Sequence, residues 1–242
     1  MTENSRIDDT QPRILRTFTT LHQIRPDWGG SLILSLGLEP KGAALAIAAN
    51  IAGAVTLAID SDPSHLREVV RAGAVDFVVN TLDEAIRAMK NEVRKHAPLS
   101  VALNADAFAV LAEIQERGLA PQLFANFLQE DPRISEASTK LAALGATLID
   151  FNERQSAPSG FQSANSFLEA FITKNAWSLH TFTFDSMASL RDFDHRALSL
   201  LSPEDSHRRR WLEAAPRILR RQRPPQRSTW LSDKESSALQ RT

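Results

Sequence analysis

The chain has 242 residues, 43% hydrophobic and 24% charged, with 28 basic against 29 acidic side chains and a formal net charge of −1. That is enough apolar material for one sizeable core and too much for a disordered chain, and the balanced charge leaves no global field for nucleic acid or membrane. There is no cysteine and no tyrosine, which excludes disulfides, thiolate metal sites, a cysteine nucleophile and a tyrosine acid or base.

Residues 1–11 read as a loose polar lead without the basic-then-apolar pattern of a secretory signal. No apolar run approaches the roughly 20 residues of a membrane span, so the expected location is cytoplasmic. Ile14, Leu15, Phe18, Leu21 and Ile24 recur at helical spacing, and Pro26 with Gly29-Gly30 ends that helix. Ser31 to Leu36 is a short apolar run and reads as a buried strand; Ala43 to Ala52 reads as a helix stopped by Gly53, and Val55 to Ile59 as the next strand. Ser64 to Arg71 is helical and Val75 to Val79 a strand. Thr81 to His96 is an amphipathic helix, with Thr81 and Glu84 forming a capping box. Leu99 to Leu103, Leu123 to Ala125 and Thr147 to Ile149 read as strands, with helices over Asp106 to Arg117 and Ile134 to Leu144 between them. Ser156 to Ser166 has the composition of a linker. Beyond it, Phe167 to Phe171 looks helical, Trp177 to Phe184 a strand, and Pro203 to Arg221 a helix kinked or interrupted at Pro216. The polar tail after Pro224-Pro225 is expected to be loose.

Strands that are apolar throughout and alternate with helices imply a parallel sheet covered on both faces. The expected fold is a doubly wound, Rossmann-like α/β domain over residues 30–151. A tail and helix precede it over 1–29, and a small, mainly helical extension follows over 152–242.

In such a sheet ligands bind at the carboxyl ends of the strands, where the strand order reverses. The first strand–turn–helix runs GLEPKGA from Gly37. Against the dinucleotide fingerprint G-x-G-x-x-G, Gly37 matches the first glycine and Gly42 the third, while Glu39 stands where glycine lets backbone amides approach a pyrophosphate. Lys41 partly offsets its charge. Asp60, at the end of the second strand, stands close to the roughly 20-residue spacing of the acid that holds the ribose hydroxyls of NAD. The competing reading is that the glycines only shape a turn and Asp60 caps the next helix.

These residues carry a more specific resemblance. GLEPKGAALAIAANIAGAVTLAID, from Gly37 to Asp60, aligns without a gap with the glycine-rich turn, alanine-rich helix and acid-ended strand of urocanases (urocanate hydratases). TLDEAI from Thr81, LSVAL from Leu99, ERGLAPQ from Glu116 and PEDSHRRRWLE from Pro203 resemble further family segments in the same order. The resemblance implies a Rossmann domain that binds NAD. In urocanase the bound NAD+ acts as an electrophile towards urocanate, and water is added to give imidazolonepropionate. Several family features are absent. Glu39 and Pro40 replace the middle glycines, Leu45 replaces a glutamine, and Asn126-Phe127-Leu128-Gln129 stands where the family has Asp-Gln-Thr-Ser. The Phe-Asp-Tyr-Gly-Asn-Asn and Cys-Arg-Gly-Val-Gly-Pro-Phe-Arg-Trp segments have no counterpart. The resemblance therefore implies a degenerate dinucleotide module, with NAD bound weakly or lost and without urocanate hydratase turnover. The alternatives are an interaction or regulatory module that has lost its ligand, and a divergent urocanate hydratase.

The six histidines show no H-E-x-x-H or other paired metal spacing. His22 and His96 fall near helix ends, where solvated or capping roles are expected. Ser61-Asp62 beside His65 resembles a triad in composition only. Arginines crowd the C-terminal part, at 208–210, 217, 220, 221, 223 and 227, near Trp211 and Trp230. They suit either nucleic acid or an acidic partner on one reading, or a solvated helix face on the other, and the neutral net charge favours the second. The partner classes left are a nucleotide, a second copy of the chain or another protein, with nucleic acid and membrane set aside.

Overall fold

The computed structural model describes residues 10–152, Arg154 and residues 156–240. The expected loose lead lies outside the described residues over 1–9. Its last two residues do not fit that expectation: Thr10 and Gln11 open helix α1 (Thr10–Ile24), and Gln11 is buried. The elements of the sheet follow as β1 (Leu32–Leu36), α2 (Pro40–Ala52), β2 (Val55–Asp60), α3 (Pro63–Ala72), β3 (Phe77–Val79), α4 (Leu82–Lys95) and β4 (Leu99–Asn104). Then come α5 (Ala107–Glu116), β5 (Leu123–Asn126), α6 (Pro132–Ala143), β6 (Thr147–Asp150) and β7 (Gln162–Ser163).

Among the described residues these strands form one seven-stranded parallel sheet in the order β3-β4-β2-β1-β5-β6-β7. β1 pairs with β2 on one side and β5 on the other, so the winding reverses between β1 and β5. The central strands are buried on both faces, which is why they read as continuous apolar runs rather than alternating ones. Leu34, Leu36, Leu57, Ile59, Val101 and Phe124 pack under α4, α5 and α6. Ile33, Ala58, Ala102 and Ala125 face the opposite way, towards α1 and α2. Thr81 and Glu84 make both bonds of the expected capping box at α4.

The sheet continues past residue 151 to β7, inside the stretch that reads as a linker. The extension then adds α7 (Ala164–Asn175), β8 (Ser178–Thr183), α8 (Met187–Leu200), α9 (Ser206–Ile218), β9 (Gln226–Leu231) and α10 (Asp233–Gln240). It is mainly helical, with β8 and β9 pairing antiparallel, and α9 runs through Pro216. The tail after Pro225 is not loose. β9 is buried at every position, and several of its polar groups find distant partners. Gln11 accepts from the Ser228 amide at 2.8 Å and donates to the Gln226 carbonyl at 2.7 Å. Arg227 makes two bonds to Asp194 of α8, at 2.7 and 2.9 Å. Burial without such partners would cost several kcal/mol, about 2–7 per group. α1 thus sits between the sheet domain and the extension. Among the described residues no helix is long and apolar enough to cross a membrane.

Candidate functional site

The structure brings the three residues of the expected dinucleotide site, Gly37, Gly42 and Asp60, into one turn at the carboxyl edge of the sheet. Gly37 follows β1 at φ +87°, a left-handed conformation that glycine adopts without steric penalty. Its amide donates to Ile59 at 2.8 Å. A Cβ on Gly42 would lie 2.0 Å from the Gly37 carbonyl oxygen, so only glycine lets α2 start this close to the turn. Pro40 opens α2 with φ preset but offers no N–H. Glu39 stands at the N-cap position, exposed, and its side chain makes no capping bond.

Asp60 is 7% exposed and its carboxylate is engaged on both oxygens. Oδ2 accepts from the Leu38 amide at 2.7 Å and is 2.9 Å from His65 Nδ1, while Oδ1 accepts from the Asp62 amide at 2.8 Å. The cap of α3 is Asp62, which accepts from the Ser64 amide at 2.7 Å. The reading of Asp60 as that cap is corrected accordingly: Asp60 ties the Gly37 turn to the start of α3. Burial acts against a charged His65, but its hydrogen bond to Asp60 and the nearby Asp60, Asp62 and Glu39 charges outweigh it and raise its pKa. His65 thus partners Asp60 and forms no triad.

The loop that follows β5 lies against the glycine turn, between β1 and β5. Asn126 ends β5; its Oδ1 accepts from the Leu128 amide at 3.1 Å and its Nδ2 donates to the Leu128 carbonyl at 3.3 Å. Asn152 donates to the Asn126 carbonyl at 2.9 Å, and the Phe127 amide to Leu36 at 2.9 Å. This fixed loop lays Phe127 and Leu128 on the glycine turn. A Cβ on Gly37 would stand 3.3 Å from both Leu128 Cδ2 and Phe127 Cβ, and one on Gly42 3.3 Å from the Phe127 ring. Phe127 is 8% exposed. A cleft of about 360 Å³ opens beside the turn, lined by Asn126, Ser135, Asp150, Arg154 and Phe161, and it reaches none of Gly37, Gly42 and Asp60. The sequence marks this loop, where Asn126-Phe127-Leu128-Gln129 stands in place of the family's Asp-Gln-Thr-Ser, but does not show that Phe127 and Leu128 lie against the glycine turn.

Several of the C-terminal arginines are structural. Arg208 is buried between Asp205 at 2.6 Å and Glu235 at 2.9 Å, with its guanidinium over Trp177. Arg210 donates to the Ile51 carbonyl at 3.1 Å and so helps to cap the end of α2. Arg209 pairs with Glu213.

Two histidines meet in the core between α1 and α9. Thr19 donates to Leu15 at 2.8 Å and accepts from Trp230 Nε1 at 2.9 Å, so His207 Nε2, 3.1 Å away, is a donor to Thr19. That leaves His207 Nδ1 unprotonated and buried without a partner, as is Nδ1 of His22, whose ring centroid lies 5.0 Å away. His22 is half-buried, with Nδ1 turned away from solvent, where a solvated or capping role was expected near a helix end. His96 is the left-handed cap of α4 and is exposed. Burial lowers the pKa of both His22 and His207, the second well below its ordinary value, with Arg210 adding for His22 and His22 itself for His207. A lowered histidine pKa means that the unfolded state binds more protons below about pH 6.5. The contribution of this pair is fully present above that pH and is lost as pH falls below it. The melting temperature is expected to drop between pH 6.5 and 5, and a His207→Gln variant to show a shallower drop; an equal drop in both would mean that His207 does not set the pH dependence. Among the described residues no group of three or more His, Cys, Asp or Glu could hold a metal ion.

Residues 14–128 match the family model of the urocanase Rossmann-like domain. Among solved structures, a short chain alcohol dehydrogenase from E. coli CFT073, complexed with cofactor NADH, matches at 14% identity and a TM-score of 0.37, over 71% of this chain and 50% of that one. Alcohol dehydrogenase TADH from Thermus sp. ATN1 matches at 15% identity and a TM-score of 0.40, over 68% of this chain and 45% of that one. The chain thus spans half or less of the length of either structure.

Proposed function

We propose, on the premise that residues 14–128 are a urocanase Rossmann-like domain, that this domain carries a degenerate and closed dinucleotide crevice. It holds NAD weakly or not at all and does not turn over urocanate. The observation that carries this reading is the seat of Phe127 and Leu128 on the Gly37 turn. A pyrophosphate laid along that turn would meet two apolar side chains in place of amides and ordered water, and would have to displace them.

Two further features support it. Asp60, the residue placed to accept ribose hydroxyls, already accepts from Leu38, Asp62 and His65. A ligand hydroxyl would compete with those bonds rather than fill a vacancy. The N-terminus of α2, which in a dinucleotide site offers amides and the positive end of the helix dipole to phosphate, offers a proline and an exposed carboxylate, Glu39. The residues present do not fit the cofactor, and no reaction step is assigned to it.

Replacing Glu39 and Pro40 together by glycine is expected to strengthen NAD+ binding about tenfold or more. That is the worth of one charge-assisted hydrogen bond to the restored amide. Urocanate absorbs in the ultraviolet, so its loss can be followed directly with purified protein and added NAD+. The expected rate is the uncatalysed background, and turnover above it would overturn the reading.

A further inference from the structure

We propose that the cleft between α3 and the turn that follows α9 is a binding site for a small polyanion carrying phosphate or carboxylate groups. The cleft measures about 500 Å³, within the roughly 300–1,000 Å³ usual for small-molecule sites. Asp76 and Pro98, which line it, precede β3 and β4. It therefore opens at the amino edge of the sheet, away from the Gly37 turn, and the proposal stands or falls independently of the closed crevice.

The C-terminal arginines divide into two sets. Arg208, Arg209, Arg210 and Arg227 are paired with carboxylates or cap carbonyls. Arg217, Arg220 and Arg221 converge on the cleft. Arg221 Nη1 donates to the Val70 carbonyl at 2.8 Å, which fixes it across the α3 end. Among the described residues Arg217 and Arg220 make no side-chain hydrogen bond, and no carboxylate forms an ion pair with any of the three. Arg223 donates to the Arg220 and Gln222 carbonyls at 2.9 and 2.7 Å and so holds the turn that presents them.

The one acid lining the cleft, Asp76, accepts from the Ser100 amide at 2.8 Å. Three arginines and a single acid line this cleft, which leaves it a net positive charge, and an anion between the guanidinium groups relieves their mutual repulsion. Guanidinium forks match the oxygens of phosphate and carboxylate in bidentate geometry. Ile47, Val70, Pro98 and Ile218 give the cleft apolar walls for an organic portion.

Calorimetric titration with inorganic pyrophosphate, and separately with citrate, tests this at low ionic strength. Saturable binding of either probe is expected, weakened at least about tenfold in Arg217→Ala/Arg220→Ala, since a single charge-assisted hydrogen bond to the anion is worth about that much. Lys90→Ala/Arg191→Ala removes the same charge from α4 and α8 and should leave affinity nearly unchanged. Both cleft arginines are exposed, so the fold should survive their loss; Arg217→Gln/Arg220→Gln, compared by melting temperature without anion, serves as the second variant. Binding of pyrophosphate alone would assign phosphate, of citrate alone carboxylate, and of both the shared anion chemistry. No saturable binding of either probe, or equal weakening by the α4/α8 control pair, would overturn the proposal.

Discussion

Asp194→Ala is expected to lower the stability of the whole chain by about 3–5 kcal/mol, the usual penalty for stranding one partner of a buried ion pair. Asp194 and Arg227 are 4% and 1% exposed. Their two parallel bonds, at 2.7 and 2.9 Å, join α8 to β9. Arg227 Nη1 is already buried without a partner, so removing the carboxylate leaves the guanidinium with no acceptor for any of these N–H groups. Because β9 also packs on α1 through Gln11, the loss should spread beyond the extension. Urea unfolding reads the difference directly. Replacing both partners, with Asp194→Leu and Arg227→Met, should recover much of the loss, since a buried pair is often worth little more than apolar residues of similar volume. A loss below about 1 kcal/mol for Asp194→Ala would place the pair on an exposed, fluctuating surface, where ion pairs contribute that little.

Gly42→Ala is expected to cost at least the about 3 kcal/mol that marks the upper end of overpacking penalties. The added Cβ would stand 2.0 Å from the Gly37 oxygen and 2.9 Å from the Gly37 carbonyl carbon. Both are backbone atoms of a turn pinned by the Gly37–Ile59 and Leu38–Asp60 bonds, so neither can yield as a side chain would. Gly37→Ala meets only side-chain and loop atoms at 3.3 Å and beyond. Its penalty should be the smaller, set by the positive φ at about 1–2 kcal/mol. Urea midpoints of the two variants, measured together, test the order; Gly42→Ala as mild as Gly37→Ala would mean that α2 can slide away from the turn.

The glycine turn was legible because its requirements are local. A left-handed residue, a helix start that tolerates no Cβ and an acid at the end of the next strand all lie within one βαβ unit. The apolar strands and the Thr81/Glu84 capping box were legible for the same reason. β9 was not. QRSTWL reads as polar, and its burial depends on Gln11, Thr181 and Asp194, partners that no sequence window joins to it. α8 went unread although Leu190, Phe193 and Ala197, all buried, recur at helical spacing. The seat of Phe127 and Leu128 on the glycine turn was hidden in another way. Phe127 and Leu128 are ordinary apolar residues after a strand, and only the tertiary approach of β5 to β1 puts them on Gly37 and Gly42. Asp60 was found by its spacing, but its bonds to Leu38 and His65 come from the folded turn, and those bonds change what the carboxylate can do.

Calorimetric titration of the unmodified protein with NAD+ tests the closed crevice most directly. No saturable heat is expected at micromolar cofactor. Phe127→Ala, which clears the space over Gly42, is expected to bind NAD+ more tightly than the unmodified chain. A submicromolar dissociation constant for the unmodified protein would contradict the closed crevice, for it would mean that Phe127 and Leu128 leave the glycine turn freely and that Asp60 gives up its bonds to Leu38, Asp62 and His65 to meet the ribose.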